Sequence, residues 1–273
     1  MEWLTEPFAL GFQQRALAAG MLAVLVSSVV GTWVVLRGLA FIGDALAHGV
    51  LPGVAFAVLL GFDLMLGAVV SSAAMVAGIN LVHRRARLTE DTAIGLLFVG
   101  MLAIGVVLIS RTSSYTGSLT GILFGDILGV SRSDLLILGG GALAALVLSA
   151  LLYRPFLALC FNERKAELLG MRPKVAHAAM LSLVTVAVVT SFRTVGSLLV
   201  FGLMIAPPAA AVLVARRVPM VMLAALGFGG VAVAGGLVVS YHYSTAASAT
   251  IAALAVGIFF LLLIWKGLER RGP

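Results

Sequence analysis

An aspartate and a histidine stand four residues apart, Asp44 and His48, in the stretch AFIGDALAHGVLPGVAFA over residues 40–57. The rest of that stretch is small or apolar. On a helix, positions four apart share a face, so the carboxylate and the imidazole point the same way. Carboxylate oxygen with imidazole nitrogen is a donor set suited to Zn²⁺ or Mn²⁺. The same pair could relay a proton, or could hydrogen-bond and so hold helices together. All three readings stay open on these residues alone, because Asp-x-x-x-His is a weak motif. Pro52 carries no N–H, which frees the His48 carbonyl from its helical bond and adds an oxygen at the same depth.

Other polar residues invite plainer readings. His242, in SYHYSTAAS, is expected as a solvated loop residue or as a ligand at the outer mouth of a path. His177 is expected to be structural and His83, in HRRAR, to be exposed. Asp126, in FGDIL, is expected to cap a turn or bond within its loop, with an outer vestibule as the other reading. Glu90 and Asp91 precede an apolar run, where a helix N-terminus favours negative charge, so capping is expected there. Cys160, the single cysteine, fits a small buried residue near a helix end and excludes an intramolecular disulfide or a thiolate cluster.

The elements that must carry Asp44 and His48 follow from composition. The 273 residues are 62% hydrophobic and 11% charged, against roughly 25% charged in soluble domains. Apolar runs of the length that crosses about 30 Å of hydrocarbon recur from end to end. No alternating segments of about ten residues suggest a membrane barrel. The expected fold is all-α: a polytopic helical membrane protein, one transmembrane domain over 1–273. Nine spans are expected, at about 16–36, 39–60, 64–82, 92–110, 135–153, 175–192, 194–215, 219–240 and 246–265, with eight as the alternative. In that frame Asp44 and His48 lie about 8 and about 14 Å along span two, at about 1.5 Å per residue. A charge there costs roughly 2.5–3.5 kcal/mol, and such residues face a cavity, a partner or a substrate path. The small neighbours Gly43, Ala45, Ala47, Gly49, Gly53 and Ala55 suit a cavity wall. Gly49 and Gly53 also form a small-xxx-small pair that lets helices approach. Pro207 and Pro208 are expected to kink span seven.

The net charge of +7 does not point to nucleic acid, because the basic residues sit in short loops between apolar runs. With the N-terminus outside, fourteen of the eighteen Lys and Arg residues fall on the cytoplasmic side, and the outside keeps Arg15, Arg111, Arg132 and Arg193. The positive-inside rule therefore predicts N-out, C-in. The N-terminal MEWLTEPFALGFQQR has no basic region before its apolar part, so no cleavable signal is expected. Two connections are long. Residues 111–134 lie outside, with TGILFGDILGV too short to span and suited to a re-entrant or interfacial helix. Residues 154–174 lie inside, where NERKAELLG predicts a short helix from Asn162 to a stop at Gly170. No Lys is followed by Ser or Thr, so the chain has no P-loop of its own. No HExxH occurs either.

The run LRGLAFIGDALAHGVLPGVAFA (36–57) resembles the second-helix signature of the metal-ion permeases of ABC-type importers, which carry zinc, manganese or iron(II). Ala40, Phe41 and Ala47 replace the usual Ser, Leu and Ser; Asp44, His48, Leu51, Pro52 and Gly53 are intact. EDTAIGLLF (90–98), LFGDILGVS (123–131), ELLGM (167–171) and TVGSLLVFGLMIAPPAAAVLVA (194–215) are similar to later landmarks of the family, in the same order. The chain departs at 241–249, reading YHYSTAASA where the family often has Asp, Pro and Gly, so no role is carried over to that loop. The resemblance implies a non-enzymatic permease of the bacterial cytoplasmic membrane. Asp44 and His48 would be transient ligands of a passing divalent cation, with His242 a weaker candidate. It implies a homodimer, two separate ATPase subunits that bind the ATP, and an extracytoplasmic solute-binding protein, with no permanently bound cofactor. The coupling helix that docks on the ATPase would carry Glu163, Glu167 and Gly170. A proton-driven secondary transporter, with Asp44 and His48 as the relay, is the rival.

Overall fold

The computed structural model describes residues 6–86, 89–110, 125–161, 167 and 172–269. Among them, nine helices are long and apolar enough to cross a membrane. The predicted spans agree with these to within a few residues at most ends. Glu163 and Gly170 of the predicted coupling helix, and residues 120–124 of the expected re-entrant segment TGILFGDILGV, lie outside the described residues. Glu167 is helical and exposed.

The first span, α1 (Gly11–Arg37), is the centre of the fold. It ends where Gly38 takes a left-handed conformation (φ 75°) and returns its N–H to the carbonyls of Val34 and Val35. The second span is in two pieces: α2 (Ala40–Gly49) and α3 (Leu51–Leu60) meet at Val50, two residues before Pro52. Val50 keeps helical angles, so the span runs on without stopping. α4 (Leu64–Ala86) starts at Asp63, whose carboxylate accepts from the N–H groups of Met65 and Leu66 at 2.9 and 3.0 Å. It runs four residues past the predicted end and takes the backbone of His83, expected in a loop, into the helix. Arg and Ala are good helix formers, so the helix outlasts the hydropathy that first signalled it.

α5 (Glu90–Ser110) is followed, beyond residues 111–124, by a 3₁₀ turn at Ile127–Gly129. Asp126 caps that turn, accepting from Gly129 N–H at 2.9 Å, as expected. α6 (Arg132–Leu151) opens on a reciprocal capping box between Ser131 and Asp134. α7 (Tyr153–Phe161) is a short amphipathic helix with Phe156 and Leu159 buried and Phe161 exposed. α8 (Pro173–Val195), α9 (Ser197–Val214), α10 (Val218–Tyr243) and α11 (Ala247–Glu269) complete the bundle.

α1 packs on α6, α8, α9 and α10, while α11 covers α9 and α10. Its two ends tie down the two long connections. Arg15 Nε donates to the Val130 carbonyl at 3.1 Å, and Arg37 Nη1 donates to the Leu159 carbonyl at 2.6 Å. The connection before α6 and the one after it therefore lie at opposite ends of α1, as alternation of nine spans requires. Trp33, fully buried, donates its indole N–H to Ser149 Oγ at 2.7 Å and meets Tyr153 and Phe156 edge-on at 5.5 Å each.

α9 continues through Pro207 and Pro208. Pro208 has no N–H to offer the Met204 carbonyl four residues earlier. Gly31 of α1 lies against that carbonyl, so closely that a Cβ at residue 31 would run into it. The prolines thus strip a backbone oxygen of its donor at the point where a glycine brings the central helix onto it.

Candidate metal path

Asp44 and His48 occupy successive turns of α2. His48 Nε2 stands 3.4 Å from Asp44 Oδ1, and the side chains are 20% and 31% exposed, respectively. That separation is too long for a strong hydrogen bond. Among the described residues, neither side chain bonds to another helix. The His48 ring meets only the edge of Phe98 of α5, centroids 5.4 Å apart at 67°.

A cavity of about 300 Å³ opens between α2 and α5. Phe41, Asp44 and Ala45 form one wall, and Asp91, Ile94 and Phe98 the other. Gly95 also lines it and faces open space, with nothing within 4 Å of where its Cβ would stand. Asp91 was expected as a helix cap. Thr89 takes that position instead, its Oγ1 accepting from Thr92 N–H at 3.3 Å. Two carboxylates, from different helices, therefore line one cavity. The signal in the sequence was the same as for Asp44, an acid beside an apolar run, but the helix start offered a sufficient explanation for it.

The small residues of span two turn out to serve packing more than the cavity. A Cβ on Gly43 would strike the Met204 side chain, one on Gly49 the Met75 sulfur, and one on Gly53 the Gly67 carbonyl. Ala47 and Ala55 are buried, and of the six only Ala45 lines the cavity. Gly53 brings α3 onto the Gly67 backbone of α4, and Gly49 at the end of α2 makes room for the Met75 side chain of the same helix. Where the two pieces meet, Ser71 Oγ donates to the Gly49 carbonyl at 2.6 Å, which satisfies backbone next to His48 without using the imidazole.

His242 is half-buried in the last turn of α10, edge-on to Tyr241 at 5.2 Å, and so is helical where a loop was expected. Among the described residues no three His, Cys, Asp or Glu side chains form a metal-holding group. Asp44 and Asp91 line the same cavity, with His48 one turn beyond Asp44.

The fold is that of a polytopic helical membrane protein. A family model, ABC 3 transport family, matches residues 9–266. The chain belongs to that family. It is 35% identical over 260 residues to the manganese import system permease protein ScaB of Streptococcus parasanguinis, covering 95% of this chain and 92% of that protein. It is 32% identical over 269 residues to the chelated iron transport system membrane protein YfeD of Yersinia pestis, covering 97% and 89%. Its structure is similar to that of PsaBC from Streptococcus pneumoniae in complex with Fab, with a TM-score of 0.84, 32% identity, and 96% and 94% of the two chains covered.

Proposed function

We propose that this chain is the membrane-spanning permease of a binding-protein-dependent importer, and that it passes a divalent transition metal, manganese first, with zinc and iron(II) as the other candidates. The observation that carries the reading is the Asp44–His48 pair: two ionisable groups within the second span, both partly exposed, Asp44 lining a cavity, and neither hydrogen-bonded to another helix among the described residues. Groups so costly to place in a membrane mark a path. Membership of an ABC transport family favours this over the proton-driven rival, which needs no ATPase.

In this mechanism a solute-binding protein delivers the cation to the outer face. Asp44 Oδ1 and His48 Nε2 replace part of its hydration shell in turn, and the incomplete donor set lets it leave. Asp91 extends the carboxylate surface along the cavity. A homodimer doubles the donor set at the path. ATP is bound and hydrolysed on two partner subunits, and the 162–170 segment, with Glu163, Glu167 and Gly170, conveys their movement to the spans. The location is a bacterial cytoplasmic membrane, N-terminus outside and C-terminus inside, as the distribution of basic residues supports.

The test is uptake of radiolabelled manganese, zinc and iron(II) by cells producing the whole complex, with wild type set beside an Asp44→Ala, His48→Ala double variant. The expected result is loss of uptake with an intact, ATP-hydrolysing complex, the preferred ion naming the cargo. Full uptake in the double variant would make the pair helix glue.

A further inference from the structure

A second cavity, about 650 Å³, lies away from the metal path, at the corner where α6 turns into α7. Ala150, Leu151 and Pro155 line it with Pro219 of α10; Tyr153 and Arg154 complete the wall. Leu151 ends one span and Pro219 begins another, so the cavity sits where the hydrocarbon gives way to the headgroups. Its walls are largely apolar, Leu151 and Pro219 are exposed, and no carboxylate lines it.

One arginine lines it and two more stand close in sequence to the lining residue Pro219. Arg154 lines the cavity, while Arg216 and Arg217 immediately precede α10; all three are exposed. Among the described residues none of their guanidinium groups has a hydrogen bond or ion-pair partner. Arg37 shows the contrast, since its guanidinium is held on the Leu159 carbonyl and serves the fold. The corner itself is rigid: Tyr153 is braced edge-on against Trp33, which Ser149 fixes in turn. Unpartnered guanidinium groups above apolar walls at a membrane boundary match an anionic amphiphile, with a phosphodiester at the arginines and an acyl chain along the apolar side.

We infer that the α6–α7 corner with the start of α10 binds an anionic phospholipid, its headgroup phosphate on Arg154 and Arg217 and a chain against Leu151 and Pro219. Basic pockets between transmembrane helices recognise headgroups in this way, each arginine contributing about a factor of five in affinity. The site is independent of the metal path and stands or falls without it.

The assembled complex, in detergent, is titrated with phosphatidylglycerol, phosphatidylcholine or glycerol 3-phosphate. Bound lipid is counted by native mass spectrometry and the melting temperature is followed. Wild type is compared with Arg154→Gln, Arg217→Gln and with Arg154→Lys, Arg217→Lys, which keeps the charge and shows that the corner still folds. Phosphatidylglycerol is expected to raise the wild-type melt by about 3 °C or more and to leave phosphatidylcholine and the soluble ester without effect. The glutamine pair should bind it at least about fivefold more weakly, and the lysine pair should retain most binding. Equal response to phosphatidylcholine, an equal effect of the soluble ester, or undiminished binding by the glutamine pair overturns the assignment. Release of the ATPase subunit from the glutamine pair with lipid binding unchanged also overturns it, and assigns the arginines to a protein interface.

Discussion

The bundle around α1 and the face between α2 and α5 use polar groups and glycines in opposite ways. Around α1 each tie is structural. Gln13 donates to the Leu237 carbonyl at 3.3 Å, Thr32 to Ser28 at 2.6 Å, Trp33 to Ser149, and both arginines of the helix to distant backbone. Gly31 and Gly20 lie where a side chain has no room. Between α2 and α5, among the described residues, Asp44 and His48 make no hydrogen bond to another helix and His48 meets only the Phe98 ring, Asp91 leaves its cap to Thr89, and Gly95 faces open space. The first region gives most of these side-chain donors fixed backbone or hydroxyl partners; the second leaves Asp44 and His48 without a hydrogen bond to another helix, beside a cavity. The difference separates residues that fold the protein from residues free to meet a cargo.

The same kind of substitution should therefore act differently in the two regions, and the largest effect is expected at the path. Asp44→Asn is expected to reduce metal uptake at least about tenfold while leaving the melting temperature near wild type, because the carboxylate holds nothing together. Uptake in proteoliposomes and a thermal melt in detergent check the two halves. Gly31→Ala drives a methyl into the Met204 carbonyl and should cost roughly 1–3 kcal/mol, read as a lower melt and poor recovery of folded protein. Trp33→Phe removes the donor to Ser149 and leaves a buried hydroxyl short of its partner, at about 1–3 kcal/mol. Gly95→Ala adds the same methyl as Gly31→Ala but into open space. Its melt should stay at wild type or rise by up to about 1 kcal/mol of stability, since Ala is the better helix former. An equal loss at both glycines would break the comparison.

The smallest effect concerns Cys160, half-buried at the end of α7. Burial pushes its thiol up from 9.0 to about 11, against the pull of Arg37. A thiol pKa raised by folding means the native state holds the proton more tightly. That contribution to stability is complete below pH 9 and fades as pH rises through about 11. At pH 7.5 maleimide labelling of the native protein should run at least about tenfold slower than in denaturing detergent, because the thiolate is the reactive form.

Much of this was legible in the residues. Nine spans followed from apolar runs of membrane length, and the alternation of loops is repeated in the ties of Arg15 and Arg37 to opposite connections. Asp44 and His48 stood out because a charge in an apolar run carries a cost that demands a reason. The partners of the small residues were not legible. Gly43, Gly49 and Gly53 looked like cavity wall, yet each receives a particular neighbour, and which neighbour is a matter of tertiary packing. Asp91 was hidden for a different reason: a carboxylate at a helix start already has a sufficient explanation, and only the structure shows Thr89 doing that work. The span at 64–82 was legible as it stands, and the helix that carries it runs on to Ala86, because hydropathy marks where a helix leaves the membrane, not where it stops.

The central claim, that His48 touches the cargo beside Asp44, is tested most directly by changing the donor atom and reading the ion preference. His48→Cys in a Cys160→Ser background replaces imidazole nitrogen with a soft thiolate. Uptake of cadmium and manganese is then measured side by side in proteoliposomes holding the whole complex. A ligand on the path predicts that the ratio of cadmium to manganese uptake rises by about tenfold or more, because thiolate favours the softer ion. Retained uptake with an unchanged ratio would contradict the account and return Asp44 and His48 to the architecture of the helix.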